Sequence, residues 1–231
     1  MLSTPANNPQ EISRRLGLKR CEQPPFSLPS DISSCLFRRN EESLPHPEKR
    51  SREFNAGRWS AANVLGEMGV EGEVGVAADR SPIWPADAVG SISHSERFVW
   101  CLGGKQDSLI SIGVDTEPVV DTSTLEYLKY EILNDEEEAL GLAQGFDERQ
   151  TFTAIFSAKE SFYKCAYQLS PKFIGFHDVE VVSFDAQTIT LQLTPDSPVQ
   201  LPGMRRMQVE YVIQAEDVFT ACWLRCKAKD Q

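Results

Sequence analysis

Two short blocks of this sequence carry residue types whose spacing suits chemistry. In Ile112-Gly113-Val114-Asp115-Thr116-Glu117 an apolar run ends in two carboxylates at i and i+2. A strand alternates its side chains, so Asp115 and Glu117 project to one face. In Phe156-Ser157-Ala158-Lys159-Glu160-Ser161-Phe162-Tyr163-Lys164 the spacing is helical, and a four-residue step sets Glu160 and Lys164 on one helical face. The blocks together offer three hard oxygen ligands, Asp115, Glu117 and Glu160, and two ammonium groups, Lys159 and Lys164. A divalent cation and a phosphate-bearing substrate need such a set; magnesium is ordinarily held by one or two carboxylates plus substrate phosphates.

Each block alone has a plainer explanation. Two acids at a strand end are common on solvated edges, and Glu160 with Lys164 is the ordinary exposed helical ion pair, worth a few tenths of a kcal/mol. The surroundings argue otherwise. Leu109, Ile110, Ile112 and Val114 would carry the acids to the end of a buried strand, where unpaired carboxylates are costly and like charges repel unless a cation lies between them. Phe156, Tyr163 and Tyr167 share the side of the helix that bears Lys159 and Glu160, so that face is not fully solvated.

Two further segments lie upstream. Trp84-Pro85 precedes Gly90-Ser91-Ile92-Ser93-His94-Ser95, and Lys49-Arg50 precedes Glu53-Phe54 and Gly57-Arg58. In order and content the four segments resemble those of the 4'-phosphopantetheinyl transferases, whose strand block reads G-(I/V)-D-x-E and whose helix block reads (F/W)-(S/C)-x-K-E-(S/A)-x-x-K. The two upstream segments are similar to those of the siderophore-associated branch. The resemblance runs from about Lys49 to Lys164.

The resemblance implies magnesium bound by Asp115, Glu117 and Glu160, with coenzyme A as the substrate it grips and a serine of an apo acyl or peptidyl carrier protein domain as acceptor. It implies that Glu160, directly or through a metal-bound water, is the base. Lys164 would lie at the pyrophosphate, with Lys159 a second cation for phosphate or leaving-group charge. Ser93 and His94 would contact the 3'-phosphate of coenzyme A, and Lys49 and Arg58 could complete that pocket or simply solvate a helix face. Trp84 would shelter the adenine or anchor a loop. Two positions depart from the pattern. Thr116 stands where relatives carry an apolar or acidic residue, and its side chain would point away from the ligands; Asn63 stands where relatives often carry arginine.

The elements that must position these residues are readable in outline. Pro47 to Met68 has helical spacing, with Phe54, Ala61, Leu65 and Met68 on a stripe that Trp59 leaves, and Gly69 ends it. Val89–Ser93, Phe98–Gly103 and Leu109–Asp115 read as strands. Asp121 or Thr122 caps a helix to Glu131, and Asn134 or Asp135 another to Leu142. Arg149 to Leu169 is the long helix of the Lys-Glu block, stopped by Ser170-Pro171. Val179–Phe184, Thr188–Leu193, Met207–Ile213 and Val218–Leu224 alternate as an antiparallel meander. Glu11–Leu18 is a short helix, Met1 to Gln10 is loosely attached, and the prolines at 24, 25 and 29 mark an irregular connection. The fold expected is α+β. The resemblance implies two similar subdomains, 1-118 and 119-231, each with antiparallel strands packed on a long helix and the active cleft between them; one chain then builds the whole cleft, so a monomer is expected.

Composition narrows the classes. Of 231 residues 41% are hydrophobic and 25% charged, ordinary for a globular chain. No apolar run approaches the roughly 20 residues of a membrane span, and the N-terminus lacks a basic, then apolar, leader. The six cysteines include no C-x-x-C pair and read as reduced thiols of a cytoplasmic protein. A net charge of −11 argues against a nucleic-acid binder. It fits awkwardly with acidic carrier partners, but residues 1–60 are net positive and the acids concentrate between Asp115 and Glu148. No G-x-S-x-G elbow supports Ser93 or Ser95 with His94 as a hydrolase, and no Walker-type loop is present. The reading from another class is a non-catalytic module that binds coenzyme A or carrier domains.

Overall fold

The computed structural model describes residues 9–40, 46–199, 201 and 205–226. The expected looseness of Met1 to Gln10 therefore falls, for residues 1–8, outside the described residues. The chain order is α1 (Pro9–Arg15), β1 (Leu18–Arg20), β2 (Ile32–Arg39), α2 (His46–Met68), β3 (Gly75–Val76), β4 (Pro82–Ile83), β5 (Ala88–His94), β6 (Phe98–Lys105) and β7 (Leu109–Pro118). Then follow α3 (Thr122–Ile132), α4 (Asp135–Leu142), α5 (Glu148–Tyr167), a 3-10 turn at Phe176–Asp178, β8 (Val179–Phe184), β9 (Thr188–Leu193), β10 (Arg206–Gln214) and β11 (Asp217–Arg225). The fold is mixed, with antiparallel sheets and helices, as the α+β expectation has it.

One sheet of four strands runs β1-β2-β6-β5, another of five runs β7-β11-β10-β9-β8, and β3 and β4 form a small hairpin. β7 lies in the first half of the sequence, within 1-118, but is hydrogen-bonded to β11 along its length, with Thr220 opposite Asp115 and Cys222 opposite Gly113. Halves of the sequence and sheets of the fold do not coincide.

Alternation on β7 and β11 explains the layering. Ile112, Val114, Phe219 and Ala221 pack with Leu36, Trp100 and Leu102 of the first sheet, and Phe219 meets Phe98 edge-on at 5.0 Å. The opposite faces meet α5, where Ser111 Oγ lies 3.0 Å from Cys165 Sγ. α5 buries Phe152, Ile155 and Phe162 against β8–β11. α2 covers the outer face of the first sheet through Ala56, Ala61 and Val64, packed on Cys35, Phe37, Val99 and Cys101. The helices start where their caps say they should: Asp121 accepts from Thr124 N, and Asn134 and Asp147 form reciprocal capping boxes with Glu137 and Gln150. All six cysteines are free thiols. Among the described residues no helix is long and apolar enough to cross a membrane.

The sequence pattern predicts none of β1, β2, the β3–β4 hairpin and the 3-10 turn. β2 follows the connection marked by the prolines at 24, 25 and 29 and is a central strand of its sheet; its Ser33 and Ser34 break the alternation, and Cys35, Leu36 and Phe37 are all buried. The β3–β4 hairpin has strands of two residues each, too short for any periodicity. The first helix spans Pro9–Arg15, not 11–18, because Gly17 takes φ +65° and Leu18 already pairs in β1.

Candidate active site

The acids lie at the end of β7 on the face that looks at α5. Asp115 is 2 % exposed and its carboxylate is held on several sides. Oδ1 accepts from Ser93 Oγ at 2.8 Å and Lys164 Nζ at 2.7 Å, and Oδ2 accepts from Ser157 Oγ at 2.8 Å. Lys164 Nζ also donates to Ser93 Oγ and to the Val114 carbonyl, each at 3.1 Å. Behind Ser157 runs a buried hydroxyl relay: Ser157 Oγ to Thr220 Oγ1 at 2.9 Å, then Thr220 Oγ1 to Ser161 Oγ at 2.6 Å. The approach of α5 that allows this is set by Gly113, since a Cβ there would stand 1.8 Å from the Ser161 carbonyl oxygen.

Glu117 and Glu160 complete the acidic group. Burial, then the Asp115 carboxylate and, less, Glu160, raise the Glu117 carboxyl to about 8 against the pull of Lys164. Glu160 is raised by burial and by Asp115, again opposed by Lys164. Both groups thus favour a proton or a cation. Among the described residues no three His, Cys, Asp or Glu side chains are set to hold a metal ion as they stand. The donors are all hard carboxylate oxygens that repel one another, which fits magnesium held by few protein ligands and completed by substrate phosphate.

Beside this group opens a cavity of about 800 Å³ walled by α2, the β3–β4 hairpin and β5, with Arg50, Phe54, Arg58, Arg80 and His94 among its lining. Arg58 stacks over the Phe54 ring at 5.0 Å, and its Nη1 is buried with no partner among the described residues. A guanidinium with an unmatched donor in a cavity suits an anionic oxygen. The desolvating walls, with Lys164 and Arg39 nearby, hold the His94 imidazole below its ordinary pKa despite Glu53. The hairpin wall is latched to α5 by the Tyr167 hydroxyl, which donates to Asp79.

The structure sorts the expected residues. Asp115, Ser93, Ser157 and Lys164 come together, with Glu117 and Glu160 beside them; His94 and Arg58 line the cavity. Ser93 and His94 alternate on β5, so Ser93 turns to Asp115 and only His94 faces the cavity. Lys49 is not among the lining residues and pairs with Glu96 at 2.8 Å. Trp84 packs the edge of its indole against Gly90, where a Cβ would fall 2.4 Å from it, so it anchors the segment after β4; it is not among the lining residues either. Lys159 is 2 % exposed and is bonded to Glu137 and two carbonyls, away from the cavity. Asn63, in place of arginine, donates to the Trp59 carbonyl. Sequence reasoning missed Arg50 and Arg80 as cavity cations and Thr220 in the hydroxyl relay. Arg50 stood within a quoted segment, but nothing local marked Arg80, and Thr220 is identifiable only from its register opposite Asp115.

A cavity lined with Arg50, Arg58 and Arg80, with a buried acid cluster and its lysine across β5, suits a large anionic ligand. Comparison with known proteins gives the particular class. Residues 42–102 match the 4'-phosphopantetheinyl transferase N-terminal domain and residues 111–215 match the 4'-phosphopantetheinyl transferase superfamily. The chain is 31% identical over 180 residues to enterobactin synthase component D of Salmonella typhi, covering 75% of this chain and 72% of that one. It is 30% identical over 182 residues to the 4'-phosphopantetheinyl transferase Svp of Streptomyces mobaraensis, covering 78% and 73%. The protein PptT of Mycobacterium tuberculosis, a 4'-phosphopantetheinyl transferase, is 29% identical over 143 residues, 58% of each chain. The chain belongs to the 4'-phosphopantetheinyl transferase superfamily and is an enzyme of that class.

Proposed function

We propose that the chain moves 4'-phosphopantetheine from coenzyme A to a serine hydroxyl of an apo carrier domain, releasing 3',5'-ADP, in a magnesium-dependent reaction carried out by a monomer in the cytoplasm. The observation that carries this reading is the cationic cavity opening beside the Asp115–Lys164 pair. The cavity takes the adenosine 3'-phosphate end, with His94, Arg58, Arg50 and Arg80 on its phosphate oxygens. The pyrophosphate then lies at Lys164. Asp115, Glu117 and Glu160 would hold the magnesium ion, which supplies positive charge to the pyrophosphate.

The serine oxygen forms a bond to the phosphorus that carries the pantetheine arm, and the bond from that phosphorus to the oxygen of 3',5'-ADP breaks. Glu160, directly or through a metal-bound water, takes the serine proton. Lys164 moves from Asp115 toward the charge that develops on the 5'-phosphate oxygen of the departing 3',5'-ADP. The likeness to enterobactin synthase component D favours carriers of siderophore peptide synthesis over those of fatty-acid or polyketide synthesis.

Intact-mass analysis of an apo peptidyl carrier domain incubated with the protein and coenzyme A, with and without EDTA, tests the reading. A gain of one phosphopantetheine arm that EDTA abolishes is the expected result. No gain on peptidyl or acyl carriers from folded protein would refute it in favour of a module that only binds.

A further inference from the structure

Lys159 belongs to the Lys-Glu block but turns away from the carboxylates that block was expected to serve. Its Nζ donates to the Ile132 carbonyl at the end of α3 (2.8 Å) and to the Phe176 carbonyl in the 3-10 turn (2.9 Å). It pairs with Glu137 of α4, Oε1 at 2.8 Å and Oε2 at 3.0 Å. An ammonium has three N–H donors, and here all are engaged at full burial, leaving none for a phosphate. Glu137, 2 % exposed, is equally committed: Oε2 accepts from Asn134 N at 3.0 Å and Oε1 from Val181 N of β8 at 2.8 Å. The pair thus ties the end of α3, the start of α4, the 3-10 turn and β8 to one turn of α5. The next residue on that turn is Glu160. Lys159, Glu160, Tyr163, Phe173 and Phe176 together line a recess of about 140 Å³.

We propose that Lys159 is a positioning residue. With Glu137 it fixes Glu160 and the walls of the adjoining recess in place for the incoming serine, and it touches no phosphate of coenzyme A. The proposal rests on the reading of Glu160 as the base. A buried ion pair is a poor device for stability compared with apolar packing, and register is its best-attested use; a turn of helix that must hold one carboxylate in place needs a fixed register.

Glu137→Gln and Lys159→Met, each in the full chain, test it by two readouts: the dissociation constant for coenzyme A by calorimetry, and kcat on an apo carrier per coenzyme A-binding site. The expected result is a kcat lowered at least about tenfold in both, as misplacement of a catalytic group by a fraction of an ångström would give, with coenzyme A affinity unchanged within about threefold. The double variant Glu137→Gln/Lys159→Met should lose no more than the worse single variant, because the two act as one unit. A purely structural pair would lower the folded fraction and leave kcat per binding site intact, which overturns the proposal. So does a Lys159→Met chain whose coenzyme A affinity falls tenfold or more, the signature of a phosphate ligand. Should Lys159→Met fail to fold, the kcat of Glu137→Gln decides alone. Wild-type protein that binds coenzyme A but transfers nothing would overturn the base assignment itself, an outcome distinct from either.

Discussion

Gly113 is where the strand that carries Asp115 and Glu117 touches the helix that carries Glu160 and Lys164, so Gly113→Ala is the sharpest test of the site geometry. A Cβ there would lie 1.8 Å from the Ser161 carbonyl oxygen, 2.8 Å from its carbonyl carbon and 2.9 Å from Cys165 N. All three are backbone atoms of α5, so no side chain can swing aside. Restoring a contact of about 3.4 Å asks the helix to retreat from β7 by roughly 1.5 Å. The Lys164–Asp115 and Ser157–Asp115 bonds are 2.7 and 2.8 Å long; a retreat of that size takes both beyond hydrogen-bond reach. Overpacking of this kind costs about 1–3 kcal/mol, a fall in Tm of about 3–10 °C for a chain of this size. The rate penalty is larger, about 100-fold in kcat for a displacement near 1 Å. Because the pyrophosphate and the magnesium ion sit on α5 and β7 in this reading, coenzyme A affinity should fall as well. Carrier modification, calorimetry and a thermal melt measure the three quantities. A Gly113→Ala protein with wild-type Tm and kcat within threefold of normal would refute the view that this contact sets the site.

Glu117 gives a pH prediction. With its carboxyl raised to about 8, the folded chain keeps a proton that the unfolded chain has lost above about pH 4.3; stability without metal therefore falls as pH rises from about 4.3 to about 8 and levels off above that. Relative to Glu117→Gln, which stays neutral, wild-type protein in EDTA should lose roughly 2 kcal/mol between pH 6 and 8, and magnesium should restore more at pH 8 than at pH 6. Parallel denaturation profiles for the two proteins would defeat the argument. Thr116 is fully buried with its hydroxyl unpartnered among the described residues. Thr116→Val should stabilise by about 1 kcal/mol at unchanged kcat; a loss of stability in urea would show that the hydroxyl is used.

What the sequence disclosed follows from the range of the physics involved. The acids on one face of β7, the pairing side of Lys164 and the stop of α2 at Gly69 are local consequences of period and backbone freedom, and all can be read from a few adjacent residues. The division of work between Ser93 and His94 follows from the same period, but deciding which of them faces the cavity needs the neighbour of β5. Lys159 looks like a site residue because it adjoins Glu160 in sequence; one residue on a helix is a turn of about 100°, enough to send its ammonium to Ile132 and Phe176 instead. Thr220 sits in the tail, where only the β7–β11 register joins it to Asp115. Arg80 sits in a hairpin loop at φ +72°, a conformation that no propensity assigns to arginine.

The charge distribution is explained by the same register. A chain of net charge −11 has nine acids between 121 and 148, of which only Glu137 and Glu138 are buried while the rest stand exposed on the surface. Asp121 and Asp147 cap helices, Glu138 holds Lys129 at 2.6 Å, and Glu137 neutralises Lys159. The cations that face the cavity, Arg50, Arg58 and Arg80, all come from the N-terminal side of β5, and the acids of the site come from β7 and α5. The lining mixes these three guanidinium groups with one carboxylate, Glu53, which Arg39 holds at 3.1 Å. Net charge, a property of the whole, says little about the field at the site because that field is fixed by which strand faces which helix.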